Sequence, residues 1–127
     1  MVKATKKILF ADDDLLFART YHRIIERAGF ICIEAHDGEE AIKLFLTEKP
    51  DLVILDMNMP KKSGLAVLKE VRDTIGGKNL PIIMFTGKDA TDSDLPQLAE
   101  LKPTYYIVKG EENLDKFILK IKELTGI

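Results

Sequence analysis

The sequence predicts an α/β domain built on a parallel five-stranded sheet with helices on both faces. Three observations point there. Short apolar runs recur at Ile8–Ala11, Ile31–Ile33, Leu52–Leu55, Ile82–Phe85 and Tyr105–Val108. Runs that short, with little polar alternation, read as strands buried on both sides. Segments with helical spacing of apolar residues separate them, and such alternation implies right-handed crossovers between parallel strands.

The first run ends at Asp12-Asp13-Asp14, and Asp14 is placed to cap the next helix. That helix carries Phe17, Tyr21, Ile24, Ile25 and Ala28 on one face, and Gly29 stops it. After the second strand, Asp37 and Glu40 have capping-box spacing ahead of Ala41, Ile42, Phe45 and Leu46. Ser63 caps a third helix that points Leu65, Leu68, Val71 and Ile75 inward and ends at Gly76-Gly77. The connection between the fourth and fifth strands is the least regular. Pro96 and Pro103 restrict it to a short helix over about Leu95 to Leu101 with few apolar positions. The last helix shows Leu114, Phe117, Ile118, Ile121 and Leu124.

The 127 residues suit one domain with one continuous core, and no internal linker or low-complexity segment interrupts them. A composition 46% hydrophobic and 31% charged is that of a folded chain. The net charge of -2, with Lys and Arg scattered, argues against direct nucleic-acid binding, which needs a concentrated basic face. No apolar run is long enough for membrane insertion. The single cysteine, Cys32, sits in an apolar run and reads as a small buried thiol. A reducing cytoplasm is the expected location. His22 and His36 have no second ligand at metal spacing and read as a surface residue and a turn residue.

Four of the five strands end in a polar group: Asp12 and Asp13, Asp56, Thr86 and Lys109. In an open parallel sheet these ends share one edge, where ligands bind. Asp56, after Leu52-Val53-Ile54-Leu55, is by itself a metal ligand, a nucleophile or the cap of a turn. The first strand-to-helix turn narrows the choice. A nucleotide binder would have glycines there, but this chain has acids, which repel phosphate unless a cation intervenes. Grouped carboxylates suit a hard cation, and Mg²⁺ commonly combines one or two of them with waters and phosphate oxygens. Lys109 adds positive charge and Thr86 a hydroxyl donor, which leaves Asp56 as a nucleophile able to form an aspartyl phosphate.

In combination, these motifs resemble the receiver domain of two-component response regulators. They are the acid pair after strand one, Asp56-x-x-Met59-Pro60-x-x-x-Gly64 after strand three, Thr86 after strand four and Lys109 after strand five. The resemblance spans nearly the whole chain, residues 1–127 as a single domain. It implies the flavodoxin-like strand order 2-1-3-4-5, for which a chemotaxis regulator is a standard example. It further implies that Asp56 is the phosphoacceptor. Mg²⁺ would be held by Asp13, Asp56 and the backbone carbonyl of Asn58, with Asp12 acting through water. Thr86 and Lys109 would contact the phosphoryl group, and Asn58 and Lys88 would tune its lifetime. Tyr106 matches the family's switch aromatic, although a half-buried strand residue would look the same.

The resemblance therefore implies a phosphorylation-dependent switch. A histidine kinase or phosphotransfer protein would donate the phosphoryl group, and a downstream protein target would read the result. Its catalysis would go no further than its own phosphorylation and dephosphorylation. With no residues left for an output domain, the chain is expected to be a stand-alone receiver or a piece of a longer protein. The alternative is a pseudo-receiver, an interaction module independent of phosphate. A Mg²⁺-dependent phosphatase with an Asp nucleophile is disfavoured, because Asn58 occupies the position of the expected general acid.

Three positions depart from the family pattern. Gly110 stands where Pro usually follows the lysine, Glu111 replaces the common aromatic, and Lys102-Pro103-Thr104 replaces a small Gly-Ala turn. A cis bond before a residue other than Pro costs about 2.5–4 kcal/mol. The Lys109–Gly110 bond is therefore expected to be trans, with the loop re-routed so that Lys109 still reaches the acids.

Overall fold

The computed structural model describes residues 5–87, 100 and 102–126. In chain order the elements are β1 (Lys7–Ala11), α1 (Leu15–Arg27), β2 (Ile31–Ala35), α2 (Gly38–Glu48), β3 (Leu52–Asp56), α3 (Gly64–Arg72), β4 (Ile82–Thr86), β5 (Tyr105–Val108) and α4 (Leu114–Thr125). The strands form one parallel sheet in the order β2-β1-β3-β4-β5, the order the resemblance implied. The short helix expected over Leu95 to Leu101 and the position of Lys88 lie outside the described residues.

Alternation along each strand explains why the central runs are apolar throughout. Leu9, Val53, Leu55, Ile82 and Met84 face one layer, with Ala41 and Phe45 of α2 and Val67, Leu68 and Val71 of α3. Ile8, Phe10, Leu52, Ile54, Ile83 and Phe85 face the other, with Ala18, Tyr21 and Ile25 of α1 and Phe117 and Ile121 of α4. A strand covered on both sides has no polar face to show. Cys32 is buried in the second layer, and burial first, then the charges of Glu34 and Glu26, pushes its thiol up to about 12. It is an inert packing residue.

The helix starts follow the sequence. Asp14 Oδ1 accepts the Phe17 N–H, Asp37 Oδ1 accepts the Glu40 N–H, and Ser63 Oγ accepts the Ala66 N–H. The capping box is displaced by one residue, since the Glu40 carboxylate accepts the N–H of His36.

Two residues expected on the inward faces of α2 and α3 are outside. Leu46 is 58% exposed, and Leu44 packs against the core in its place. Ile75 is 99% exposed because α3 ends at Arg72, before Gly76-Gly77. The cause is Thr74, whose hydroxyl donates to the Val71 carbonyl at 2.7 Å and accepts the Gly77 N–H at 2.9 Å, which closes a turn in place of more helix. Arg72 then ties the connection down by donating to the carbonyls of Gly77, Leu80 and Lys102. Leu114, at the start of α4, is also exposed. Among the described residues, no helix is long and apolar enough to cross a membrane.

Candidate functional site

Asp12, Asp13 and Asp56 come together at the C-terminal edge of the sheet. One oxygen from each lies within 4.8 Å of the others. The backbone sorts the acids of the first turn into separate tasks. The Asp12 N–H extends the sheet by donating to Ala35 O at 3.0 Å, and its side chain is wholly buried. Asp12 Oδ1 accepts the Asp14 N–H at 2.9 Å, while Asp14 turns away to cap α1. Asp13 stands exposed at the rim. Asp56 is the last residue of the central strand and is 6% exposed.

The loop after Asp56 folds back tightly on it. Gly64 N–H donates to Met57 O at 2.8 Å, and a Cβ on Gly64 would lie 2.1 Å from the Asp56 carbonyl oxygen. Only glycine fits there, which accounts for its spacing from Asp56.

Lys109 enters from the other side. Its Nζ lies 2.7 Å from Asp12 Oδ2 and 3.1 Å from Asp56 Oδ1. The Lys109–Gly110 bond is trans, and Gly110 has φ 91°, a backbone state open to glycine and strained for other residues. The expected re-routing is therefore observed, with Lys109 reaching the acids. Its N–H donates to Thr86 O at 2.8 Å, which brings Thr86, itself buried, to the same edge. The Thr86 hydroxyl makes a long 3.5 Å contact to Ile107 O. Asn58 is exposed on the loop beyond Asp56. Tyr106, which reads as either the switch aromatic or a half-buried strand residue, is 57% exposed on the edge strand β5.

Charge is unbalanced here. Among the described residues, three carboxylates face one ammonium. Burial first, then the charge of Asp12, pushes the Asp56 carboxyl up to about 6, against the opposing pull of Lys109. Burial disfavours the Lys109 ammonium, but hydrogen bonding and charge from Asp12 and Asp56 outweigh it and the net direction is up. Asp12 Oδ2 is buried, and Lys109 Nζ meets it at 2.7 Å. Three carboxylate oxygens within 4.8 Å of one another, one of them on a buried and upward-shifted Asp56, fit a hard divalent cation such as Mg²⁺.

Sequence reasoning missed one contributor. Lys109 Nζ sits 4.4 Å from the centroid of the Phe17 ring. Phe17 had been read only as a core position of α1. Its signal was its place three residues after the Asp14 cap, on the turn of helix that adjoins the strand edge.

A model of the response regulator receiver domain matches residues 8–122. The chain belongs to that family. The receiver is 44% identical over 84 residues to the alkaline phosphatase synthesis transcriptional regulatory protein PhoP of Bacillus subtilis, covering 66% of this chain and 34% of that protein. It is 28% identical to the response regulator MprA of Mycobacterium bovis, across 94% of this chain and 59% of the relative. It therefore spans only part of the length of these curated relatives. Among solved structures, the Francisella response regulator 1452 receiver domain superposes with TM-score 0.83 at 29% identity, over 96% of this chain and 98% of that one. Vibrio cholerae chemotaxis protein CheY4 gives TM-score 0.85 at 25% identity, over 95% and 99%. Receiver domains are signalling switches of two-component systems, and phosphoaspartate and Mg²⁺ are characteristic of the family.

Proposed function

We propose that this receiver is a phosphorylation-dependent switch with Asp56 as its phosphoacceptor. The observation that carries the reading is the position of Asp56: buried at the end of the central strand, beside two further acids, with Lys109 Nζ 3.1 Å away. In the reaction, an Asp56 oxygen attacks the phosphorus of a phosphohistidine on a histidine kinase or phosphotransfer protein. A P–O bond forms, the P–N bond breaks, and the imidazole leaves with the electron pair and takes up a proton. A carboxyl pushed up to about 6 is still largely ionised at neutral pH, so the nucleophile is available.

Asp13, Asp56 and the Asn58 carbonyl would hold Mg²⁺, with Asp12 acting through water, and the ion would supply positive charge to the transferring phosphoryl oxygens. Lys109 adds a second positive charge and Thr86 a hydroxyl donor. Asn58 and Lys88 are placed in sequence to influence how long the phosphoryl group survives. Tyr106, standing exposed on β5 next to Ile107, whose carbonyl Thr86 contacts, would change position with Thr86 and alter the surface read by a downstream protein. The contacts of Lys109 with Asp12 and Asp56 favour this reading over a phosphate-independent interaction module.

Intact mass after incubation with a small phosphodonor and Mg²⁺ tests the proposal. One added phosphoryl group is expected on the wild type and none on Asp56→Asn. Undiminished phosphorylation in excess chelator, or in the variant, overturns it.

A further inference from the structure

We infer that Phe17 is the positioning residue for the Lys109 ammonium, an aromatic plate that holds the lysine at the acid cluster. The inference rests on the phosphorylation reading above and assigns the site a residue outside its polar set.

Lys109 needs such a support. The chain after it turns through Gly110 at positive φ into exposed Glu111; the Glu112 carboxylate accepts the Gly110 N–H at 2.9 Å and braces the backbone there, but it does not hold the lysine head group. Its tethers at the head group are Asp12 and Asp56. Those attractions hold the lysine only while the carboxylates are free. With a divalent cation held by the same acids, Asp12 and Asp56 would offer the lysine less charge while it is needed against a phosphoryl oxygen. The face of an aromatic ring is different, because its attraction for a cation does not depend on the charge state of the acids.

The Phe17 ring is itself held in place. Its centroid lies 4.7 Å from that of Tyr21, 6.2 Å from Phe10, and 5.5 Å from Phe85 in an edge-on packing. Tyr21 and Phe85 pack in turn on Phe117 of α4. The aromatic cluster of one sheet face thus extends to the C-terminal edge, and its outermost ring lies at the lysine. A leucine at position 17 would fill the same part of the core without offering a π face. That difference separates a positioning role from a packing role.

The test compares wild type with Phe17→Leu, which removes the ring, and Phe17→Tyr, which keeps it. Two readouts are taken on folded protein. One is the extent of Lys109 acetylation by a small amine-reactive ester in metal-free protein and with Mg²⁺, located by peptide mass. The other is the phosphorylation rate from a small phosphodonor at saturating Mg²⁺, with Mg²⁺ affinity measured separately. Phe17→Leu is expected to acetylate faster at Lys109, most clearly with Mg²⁺ present. Its phosphorylation should slow by roughly 2- to 30-fold, the range for losing one cation–π contact, with Mg²⁺ affinity unchanged. Phe17→Tyr should restore both readouts. If Phe17→Leu does not fold, Phe17→Met replaces it in the same comparison. Wild-type acetylation and phosphorylation rates in the ring-less variant overturn the inference. A wild type that takes no phosphoryl group overturns the function proposed above, and the acetylation readout still decides the role of Phe17.

Discussion

Two clusters of charge lie on this fold, and they are built in opposite ways. At the C-terminal edge, three carboxylates share one ammonium among the described residues, and Asp56 is pushed up to about 6. On the edge strand β2, a single carboxylate, Glu34, takes three partners. His22 Nδ1 lies 2.6 Å from its Oε2, His36 Nε2 lies 3.0 Å from its Oε1, and Arg19 Nε lies 3.6 Å away. Burial pushes the Glu34 carboxyl up, but hydrogen bonds from His36 and His22 and the charges of His22 and Arg19 outweigh it, and the net direction is down. Glu26 and Glu40 flank the two imidazoles on their far sides. The second cluster pins α1 and β2 together through hydrogen bonds to one carboxylate, and the His36 N–H ties in the start of α2 by donating to Glu40. In the first, burial and a neighbouring acid act on the central carboxylate instead. The direction in which the central carboxyl is shifted, up at Asp56 and down at Glu34, separates the two clusters.

The contrast can be broken by experiment. The largest effect expected is from Mg²⁺. At a concentration 100 times its dissociation constant, it should stabilise the receiver by about 2.7 kcal/mol in urea unfolding. Asp13→Asn should lose most of that gain, whereas Glu34→Gln should keep it. Equal losses in both variants would erase the distinction between the clusters.

Next comes the cost of the unpaired site. In chelator at pH 8, Asp56→Asn should be more stable than wild type by roughly 2 kcal/mol. The sign follows from the raised value. The folded carboxyl keeps its proton up to about pH 6, while the unfolded chain releases it near the ordinary carboxylate value. Wild type therefore loses stability relative to the variant as pH rises across that interval, and the two converge below it. Urea unfolding from pH 4 to 8 measures this directly.

Glu34→Gln should move the other way, destabilising by about 1–2 kcal/mol at pH 7, because His22, His36 and Arg19 lose a shared carboxylate acceptor. The Glu34 carboxyl is lowered, so its contribution is present above the ordinary carboxylate range and disappears as pH falls through the lowered value. Opposite signs for Asp56→Asn and Glu34→Gln in one buffer would be the sharpest form of the comparison. The smallest effect is expected from Arg19→Ala, below about 1 kcal/mol, since that guanidinium is largely exposed at 3.6 Å from Glu34.

Much of the fold was legible in the residues. Apolar runs of strand length, separated by capped amphipathic segments, leave one architecture open, because a strand apolar on both sides must be covered on both sides. The parallel alternation then places every strand end on one edge, so Asp12, Asp13, Asp56, Thr86 and Lys109 could be grouped before any coordinates. Asp14 and Ser63 were legible as caps, since capping depends on neighbours only three residues away. Leu46 and Ile75 misled because apolar spacing alone does not show where a helix ends, and the hydroxyl of Thr74 ended α3 early.

Contacts between distant elements were decided only by the tertiary structure. Nothing near His22 announces that it shares a partner with His36, because Glu34 lies twelve residues away on a different element and gives a separate oxygen to each imidazole. Phe17 carried the spacing of a core residue, and only the approach of Lys109 from the far end of the chain gave its ring a cation to face. The sign of the charge imbalance is of the same kind. Composition counts acids and bases, but the shift of a carboxyl depends on its burial and on which charges lie within a few ångströms, and both are set when the sheet closes.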